Sequence, residues 1–276
     1  MLRFIATAFV AAPLMWTPPA ASQHAPQDST DFYNAGVEHT AAGRWPQAID
    51  LFKQAIAKDA KDADAHFQLG HAYQQTRQYA DALKHFKQAV ELKPGDGEAT
   101  HFQGLAHFAL KQYPEAVTAY LQAARINPSA ANVYMHLGVA YTYLKKFPDA
   151  AEAFGRAVKL KPDDPLARFN HGVAAFESNS LPEAEQRFKE AIRLAPNMVG
   201  AHIGLCATYN GFGRHAEAIE GCQKALQLNA KSAAAHYQLG VAYLKSGQIA
   251  RAREEHRLLE GLSPEMAKQL SNLLPK

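Results

Sequence analysis

The chain repeats itself every 34 residues, and this period constrains its fold more than any other feature. Glycine recurs at that spacing, replaced once by cysteine, in the column Gly36, Gly70, Gly104, Gly138, Gly172, Cys206 and Gly240. Alanine recurs without exception in the column Ala48, Ala82, Ala116, Ala150, Ala184, Ala218 and Ala252. A fixed period of roughly 20–50 residues is the signature of an array of small supersecondary units. The chain is therefore expected to be a stack of units that bury a continuous core.

Two further columns share the period. One is mainly aromatic and comprises Phe52, Phe86, Tyr120, Phe154, Phe188, Cys222 and His256. The other is mainly proline and comprises Ala60, Pro94, Pro128, Pro162, Pro196, Ala230 and Pro264. Seven periods without an insertion fit between residues 29 and 266, which predicts seven repeats. Their predicted bounds are 29–62, 63–96, 97–130, 131–164, 165–198, 199–232 and 233–266.

Each unit predicts two amphipathic helices, because apolar residues recur at three- and four-residue spacing. We expect Gly70 and Ala82 to be small because the two helices of a pair approach closely there. Phe86 is expected to fill the space between neighbouring units, and Pro94 to end one unit because it cannot continue a helix. One such pair cannot bury its apolar face alone, so stability requires stacking on the next pair.

The clearest unit, HFQLGHAYQQTRQYADALKHFKQAVELKP from His66 to Pro94, resembles the tetratricopeptide repeat (TPR) family. The resemblance covers nearly all of the chain after residue 28. It implies an all-α, right-handed superhelical solenoid of seven helix-turn-helix repeats whose first helices line a concave side. A short C-terminal capping helix is predicted from Ser263 and Pro264 through the remainder at 267–276, with Met266, Leu270 and Leu273 as its apolar stripe.

The N-terminal residues predict export. Arg3 precedes an apolar run from Phe4 to Trp16, and small residues follow up to Ser22, which together are typical of a cleaved secretory signal peptide at residues 1–22. A membrane anchor is the alternative, but the run is shorter than the roughly 20 residues that span a bilayer, and Pro13 interrupts it. Residues 23–28 are predicted to be a polar linker. The expected location is a bacterial periplasm.

The only two cysteines, Cys206 and Cys222, replace the glycine and the aromatic residue of the same repeat. Both lie eight residues from Arg214, near the turn between two antiparallel helices, so they should face each other. A disulfide suits an exported chain, and a pair of buried free thiols remains the alternative. A metal site is not favoured because zinc prefers four ligands, and the C-x-x-C redox motif is absent.

No catalytic constellation is visible in the sequence, so we expect no enzyme activity, no cofactor and no metal. A Gly-rich phosphate loop, G-x-S-x-G and H-E-x-x-H are all absent. Most of the thirteen histidines are expected to be half-buried structural residues. His71 and His101 are the exception, because they could approach each other and form a pH-sensitive or metal-touching spot. The net charge of +3 offers no electrostatic footprint for nucleic acid.

The resemblance places ligands along the first helices, where this chain is mainly apolar and aromatic. The candidate partner-binding residues are Tyr33, Phe67, His71, His101, Phe108, Met135, Tyr143, Phe169, Phe176 and Tyr237. The strongest anchor candidates are Phe67, Phe108, Tyr143, Phe169 and Phe176. The Lys and Asn residues with which some relatives clamp a C-terminal carboxylate are missing.

These residues predict a non-enzymatic scaffold that binds a protein partner, as an extended peptide or an amphipathic helix, in the concave groove. Two alternatives remain open. One is the binding of a small glycan or lipid-like molecule in the same groove, and the other is a structural role as a spacer or oligomer subunit. Stable membrane insertion after signal cleavage is not expected.

Overall fold

The computed structural model describes residues 27–275, and every regular element in that part of the chain is an α-helix. The predicted signal peptide lies outside the described residues. The helices are α1 (Ser29–Ala41), α2 (Trp45–Lys58), α3 (Ala63–Gln75), α4 (Tyr79–Leu92), α5 (Gly97–Ala109), α6 (Tyr113–Ile126), α7 (Ala131–Tyr143), α8 (Phe147–Leu160), α9 (Pro165–Glu177), α10 (Leu181–Leu194), α11 (Val199–Phe212), α12 (His215–Leu228), α13 (Ala233–Lys245), α14 (Ile249–Leu262) and α15 (Pro264–Ser271). The expected all-α architecture of paired helices is confirmed.

The helices form two compact units, which we call the N-terminal unit (27–144) and the C-terminal unit (145–275). In the N-terminal unit, α1/α2, α3/α4 and α5/α6 are hairpins, each second helix packs on the next first helix, and α7 follows. In the C-terminal unit, α8 precedes the hairpins α9/α10, α11/α12 and α13/α14, and α15 packs on the last of these. Odd-numbered helices up to α13 are the first helices of their repeats.

A left-handed residue ends the first helix at the same position of every repeat. Its backbone φ is positive at Gly43, Arg77, Lys111, Lys145, Asn179, Gly213 and Gly247, which are again spaced by 34 residues. The next amide closes the turn, as where the Gln78 N–H donates to the Tyr73 carbonyl at 2.8 Å. This is the Schellman arrangement that satisfies the last carbonyls of a helix. Because this turn is the same in every repeat, it reverses the chain in the same way, and the second helix of each repeat packs against the first.

Five first helices begin at a capping residue. Asp28, Asp62, Asp96, Asp164 and Ser232 each accept a hydrogen bond from a backbone N–H of the first turn that follows. Such caps satisfy amides that have no partner within the helix. The last four of these caps follow the proline column, and all five fix the start of a first helix at the same place of the 34-residue period.

The core of a repeat is built on a glycine and an aromatic ring. A β-carbon placed on Gly36 would lie 2.5 Å from Cε1 of Phe52, and one on Gly70 would lie 2.8 Å from Cε1 of Phe86. Phe52 and Phe86 are completely buried. The ring therefore occupies the place of a side chain on the facing helix, which is why only glycine fits there. Gly104 with Tyr120 and Gly172 with Phe188 repeat the contact.

The capping helix completes the last repeat. His256 stands where an aromatic ring is expected, and the completely buried Leu270 of α15 lies beside Gly240 instead. One detail of the predicted cap is wrong. Leu273 lies beyond the end of α15 and is 50% exposed, so only Met266 and Leu270 of the predicted stripe face the core. Ser263 and Pro264 stand at the N-cap and the start of α15 as predicted, although the Ser263 side chain makes no capping hydrogen bond.

Candidate functional site

The candidate partner-binding residues differ in how far they remain open to solvent. In the N-terminal unit, Tyr143 is 42% exposed and His101 is buried. The half-buried members of that unit are Tyr33, Phe67, His71, Phe108 and Met135. In the C-terminal unit, Phe169 is buried, whereas Phe176 and Tyr237 are half-buried. His101 and Phe169 therefore belong mainly to the packing between helices, while the others present at least part of their surface.

Phe102 of α5 lies at the centre of an aromatic cluster in the N-terminal unit. Its ring is 5.3 Å from that of Phe67, 5.6 Å from those of His71 and Phe86, and 5.8 Å from that of His101. Phe102 is not among the candidate residues predicted from the sequence. The available signal was its column, which holds Asn34, Gln68, Asn170 and Gln238 in other repeats, so that an aromatic residue there is an exception.

A second aromatic cluster lies at the turn end of the helices in the same unit. The Phe108 ring is 5.1 Å from the Tyr143 ring, nearly perpendicular to it, and Tyr113 stacks on Tyr143 at 4.8 Å. Phe108 and Tyr113 are 5.3 Å apart, so the three rings contact each other mutually. Burial raises the pKa of Tyr113, and the neighbouring Tyr143 adds to this rise. Tyr113 was also missed, because it belongs to a second helix.

Two pairs of histidines lie inside the N-terminal unit. Nε2 of His101 is 2.7 Å from Nδ1 of His136, with the rings stacked, and the Nδ1 atoms of His66 and His85 are 3.0 Å apart. At that distance one ring donates an N–H to the bare nitrogen of the other, so the accepting ring of each pair is neutral. The structure therefore pairs His101 with His136, whereas the rings beside His71 are those of Trp45 and Phe102.

Burial lowers the pKa values of these rings. It lowers the pKa of His101 to about 3, with a further contribution from the charge of His136, whose own pKa falls to about 4 through burial. Burial also lowers the pKa of His85 to about 4, and the charge of His66 contributes. No group of three or more His, Cys, Asp or Glu residues between 27 and 275 could hold a metal ion.

Three further histidines share one position early in a first helix and have a structural role. The imidazoles of His66, His202 and His236 lie within hydrogen-bonding distance of backbone carbonyls six residues earlier, at Ala60, Pro196 and Ala230. Each carbonyl belongs to the loop that precedes the helix. In the last repeat, Nδ1 of His236 also lies 2.6 Å from a carboxylate oxygen of the buried Glu255. These contacts fasten first helices to the repeat before them.

A shallow apolar pocket lies between α9 and α11 in the C-terminal unit. It is partly open to solvent and is lined by Phe169, Val173, Phe176, Phe188, Gly200, Ile203 and Gly204. Val173, Phe176 and Gly200 are half-buried and form its rim, whereas Phe169, Phe188 and Ile203 are buried and form its walls. The predicted candidates Phe169 and Phe176 thus share one site. Tyr237 packs elsewhere, against the cluster of Val241, Leu259 and Leu270.

Cys206 and Cys222 are joined in a disulfide between α11 and α12, with their Cα atoms 5.4 Å apart. Both residues are completely buried. The bond occupies the place that a glycine and an aromatic ring share in four other repeats, for example at Gly172 and Phe188. It is a structural link between the two helices of the sixth repeat.

No helix within residues 27–275 has both the length and the apolar character needed to cross a bilayer.

Comparison with known proteins agrees with this repeat architecture. The family described as Tetratricopeptide repeat matches residues 67–131 and 135–199, and the family described as TPR repeat matches residues 36–76 and 212–247. No curated protein matches the chain in sequence.

Solved structures of several repeat proteins are similar. MamA is 25% identical over 60% of this chain and 91% of its own, with a TM-score of 0.58. YrrB, a TPR protein with an unusual peptide-binding site, is 23% identical over 67% of this chain and 95% of its own, with a TM-score of 0.62. A chain of the APC/C hetero-tetramer Cut9–Hcn1 is 20% identical over 89% of this chain and 49% of its own, with a TM-score of 0.59. The last two likenesses concern the fold alone.

The 34-residue period, the glycine–ring contacts and the family matches lead to one conclusion: the chain belongs to the tetratricopeptide repeat family, whose members are generally non-enzymatic scaffolds for protein–protein interactions.

Proposed function

We propose that this protein is an exported, non-enzymatic scaffold of the bacterial cell envelope that binds a peptide or a helix of a partner protein on its first helices. Membership of the tetratricopeptide repeat family supports the protein partner. YrrB shows that a protein of this fold can carry a peptide-binding site.

The aromatic cluster of Phe108, Tyr113 and Tyr143 is the observation that carries the proposal. Tyr143 is 42% exposed although two other rings pack against it. The contacts hold the exposed ring in one orientation, so little conformational entropy is lost when a partner covers it. Rigid aromatic side chains of this kind dominate the binding energy of protein interfaces.

Two features support the envelope location. The residues up to Ser22 have the sequence of a secretory signal peptide. The disulfide of Cys206 and Cys222 suits an oxidising compartment, because cytosolic thiols are normally kept reduced. Expression of the full-length sequence in a bacterial host, followed by fractionation and N-terminal sequencing, tests this part. A processed chain that starts near Gln23 in the periplasmic fraction supports export, and an unprocessed cytoplasmic chain contradicts it.

Peptide selection tests the binding surface. The purified protein is used to select binders from a library of random short peptides, and the affinity of the selected peptides is then measured for Tyr143→Ala. Leu121→Ala is the matched control, because Leu121 is also a large apolar residue, 37% exposed, but lies on the second helix α6 of the same unit. We expect Tyr143→Ala to weaken binding about tenfold or more and Leu121→Ala to leave it unchanged.

Other outcomes point to the competing functions. The reverse pattern, with loss only in Leu121→Ala, would place the interface on the second helices and contradict the proposed surface. Failure to select any peptide, together with a glycan or lipid that mass spectrometry finds still bound after dialysis, would favour a small-molecule binder. Failure to select any peptide, together with a concentration-dependent oligomer in analytical ultracentrifugation, would favour a structural subunit.

A further inference from the structure

Phe102 fills a defined place between two first helices of the N-terminal unit. Its ring lies among those of Phe67, His71 and Phe86, at 5.3, 5.6 and 5.6 Å, and beside the ring of its neighbour His101. Phe67 and Phe86 are themselves 5.8 Å apart with their planes inclined by 50°. Three phenylalanine rings from α3, α4 and α5 therefore meet in mutual contact.

The C-terminal unit has counterparts of two of these three rings, but not of the third. Three repeats later, Phe169 and Phe188 stand in the positions of Phe67 and Phe86, with rings 6.0 Å apart and planes inclined by 48°. The position of Phe102 is taken by Gly204, which has no side chain. The distance between the two phenylalanine rings is thus the same in both units to within a few tenths of an ångström. The third ring, which Phe102 provides in the N-terminal unit, is missing in the C-terminal unit.

The pocket between α9 and α11 lies where that ring is missing. The four residues around Phe102 correspond, in the 34-residue register, to Phe169, Val173, Phe188 and Ile203, and all four line the pocket. Gly200 also lacks a side chain, on the same face of α11 and one helical turn before Gly204. A β-carbon at Gly200 would lie 3.1 Å from Cζ of Phe169, and one at Gly204 would lie 2.6 Å from Cε1 of Phe188. The Phe188 ring therefore occupies the place of a β-carbon on Gly204, and the pocket is the space that remains open beside it.

The apolar lining of the pocket favours an apolar ligand group. Its seven lining residues are aromatic, aliphatic or glycine, so it offers no charged side chain to a polar ligand. It is shallow and partly open, which suits one side chain that projects from a larger molecule better than a small ligand that needs enclosure. The three-ring cluster around Phe102 shows that walls of this geometry accept a phenyl ring edge to face.

We propose that this pocket receives an aromatic side chain, that of a phenylalanine, from a bound peptide, in the place that Phe102 fills from within the N-terminal unit. This proposal rests on the proposed function, because it specifies which residue of a peptide partner acts as an anchor. The sequence requirement follows: peptides that bind must carry one aromatic residue whose removal releases them.

The first experiment uses the unmodified protein. Peptides selected by binding are resynthesised with each aromatic residue replaced in turn by alanine, and then with a photoreactive benzoylphenylalanine at the sensitive position. We expect the alanine replacement to lower the affinity about tenfold or more. We expect the cross-link, located by mass spectrometry, to fall on Val173, Phe176 or Ile203. Peptides without an aromatic requirement, or a cross-link to other residues, would overturn the proposal while the peptide-binding function stands.

The second experiment fills the pocket from the protein side. Val173→Phe places a ring at the rim, and Val37→Phe is its matched control, since Val37 is a half-buried valine at the same repeat position in the N-terminal unit. We expect Val173→Phe to abolish the advantage of the aromatic peptide over its alanine form, and Val37→Phe to retain it. An unchanged advantage in Val173→Phe contradicts the proposal. Gly204→Phe is avoided because its β-carbon would overlap the buried Phe188 ring.

A probe molecule separates the two hypotheses if no peptide is selected. N-acetylphenylalaninamide is titrated into methyl-labelled protein, and the Ile203 methyl signals are followed by NMR, with Ile49 of the N-terminal unit as reference. A saturable shift of Ile203 alone, absent in Val173→Phe, supports the aromatic pocket even though the peptide-binding function has failed. No shift of Ile203 overturns the pocket as well.

Discussion

Leu270 of α15 lies against Gly240 of α13, where a β-carbon would be only 2.5 Å from the Leu270 Cδ2 atom. In other repeats an aromatic ring of the second helix fills this place, as Phe86 does beside Gly70. The last repeat lacks that ring because His256 occupies its position. The capping helix therefore does more than cover the end of the stack, since it supplies the missing side chain to the core.

Leu270→Ala should consequently destabilise the protein. The side chain is completely buried, and truncation of such a leucine typically costs about 2–5 kcal/mol through lost burial and the cavity left behind. Leu273→Ala, three residues further on and 50% exposed, should change the free energy of unfolding by less than about 0.5 kcal/mol. Urea denaturation followed by circular dichroism measures both. Equal effects would show that α15 does not contribute to the core in this way.

The disulfide should stabilise the sixth repeat. Cys206 and Cys222 are 16 residues apart, and closing a loop of that size contributes about 3 kcal/mol. Reduction, or Cys206→Ala together with Cys222→Ala, should lower the midpoint of thermal unfolding. The matched variant is Cys206→Gly with Cys222→Phe, which rebuilds the pair seen at Gly172 and Phe188. We expect it to recover part of the lost stability and to be insensitive to dithiothreitol; a parent protein equally insensitive to reduction would contradict a stabilising role.

The buried histidines predict a loss of stability in acid. The folded-state pKa values of His101 and His136, about 3 and about 4, lie below the usual value near 6.5. The unfolded chain therefore binds more protons, so the contribution to stability is present above about pH 6.5 and is lost as the pH falls towards the folded-state values. Within that window, each of these two histidines lowers the free energy of unfolding by up to about 1.4 kcal/mol for every unit by which the pH falls.

His101→Gln isolates this effect. Glutamine keeps a hydrogen-bonding group beside His136 but cannot be protonated in this range, so the free energy of unfolding should fall less steeply between pH 6.5 and pH 4. His256→Gln, in the C-terminal unit, is the control. Urea denaturation at several pH values gives the slopes, and identical slopes in the parent protein and His101→Gln would contradict the assignment.

The turn positions predict a stabilising substitution. Arg77 has a φ of 62° at the position where Gly43, Gly213 and Gly247 stand in other repeats. A left-handed conformation costs a non-glycine residue roughly 1–2 kcal/mol, partly offset by the greater freedom of glycine in the unfolded chain. Arg77→Gly should therefore raise the free energy of unfolding by about 0.5–1 kcal/mol, whereas Gly213→Ala should lower it by about 1 kcal/mol. Chemical denaturation checks both signs.

Much of the fold could be predicted because the period assigns every residue to a column. A residue's column states which helix it belongs to and whether it faces the partner helix, so Gly70, Ala82 and Phe86 were correctly placed in the core. The candidate site was predictable only as a set of columns. Columns identify what each first helix presents, but they do not state how far a neighbouring side chain covers it, and Phe169 proved to be buried.

The sequence by itself determined the repeat length, the pairing of helices and the family, since these follow from local periodicity and from turn chemistry that recurs every 34 residues. Only the tertiary structure decided how the residues that depart from the usual residue of their column compensate for each other. Leu270 fills the place that His256 leaves, His101 pairs with His136, and a pocket opens beside Gly204, Phe169 and Phe188, whose counterparts in the N-terminal unit are Phe102, Phe67 and Phe86. The reason is physical: such contacts depend on the volumes and directions of side chains from different repeats, and a column read along the chain does not contain that information.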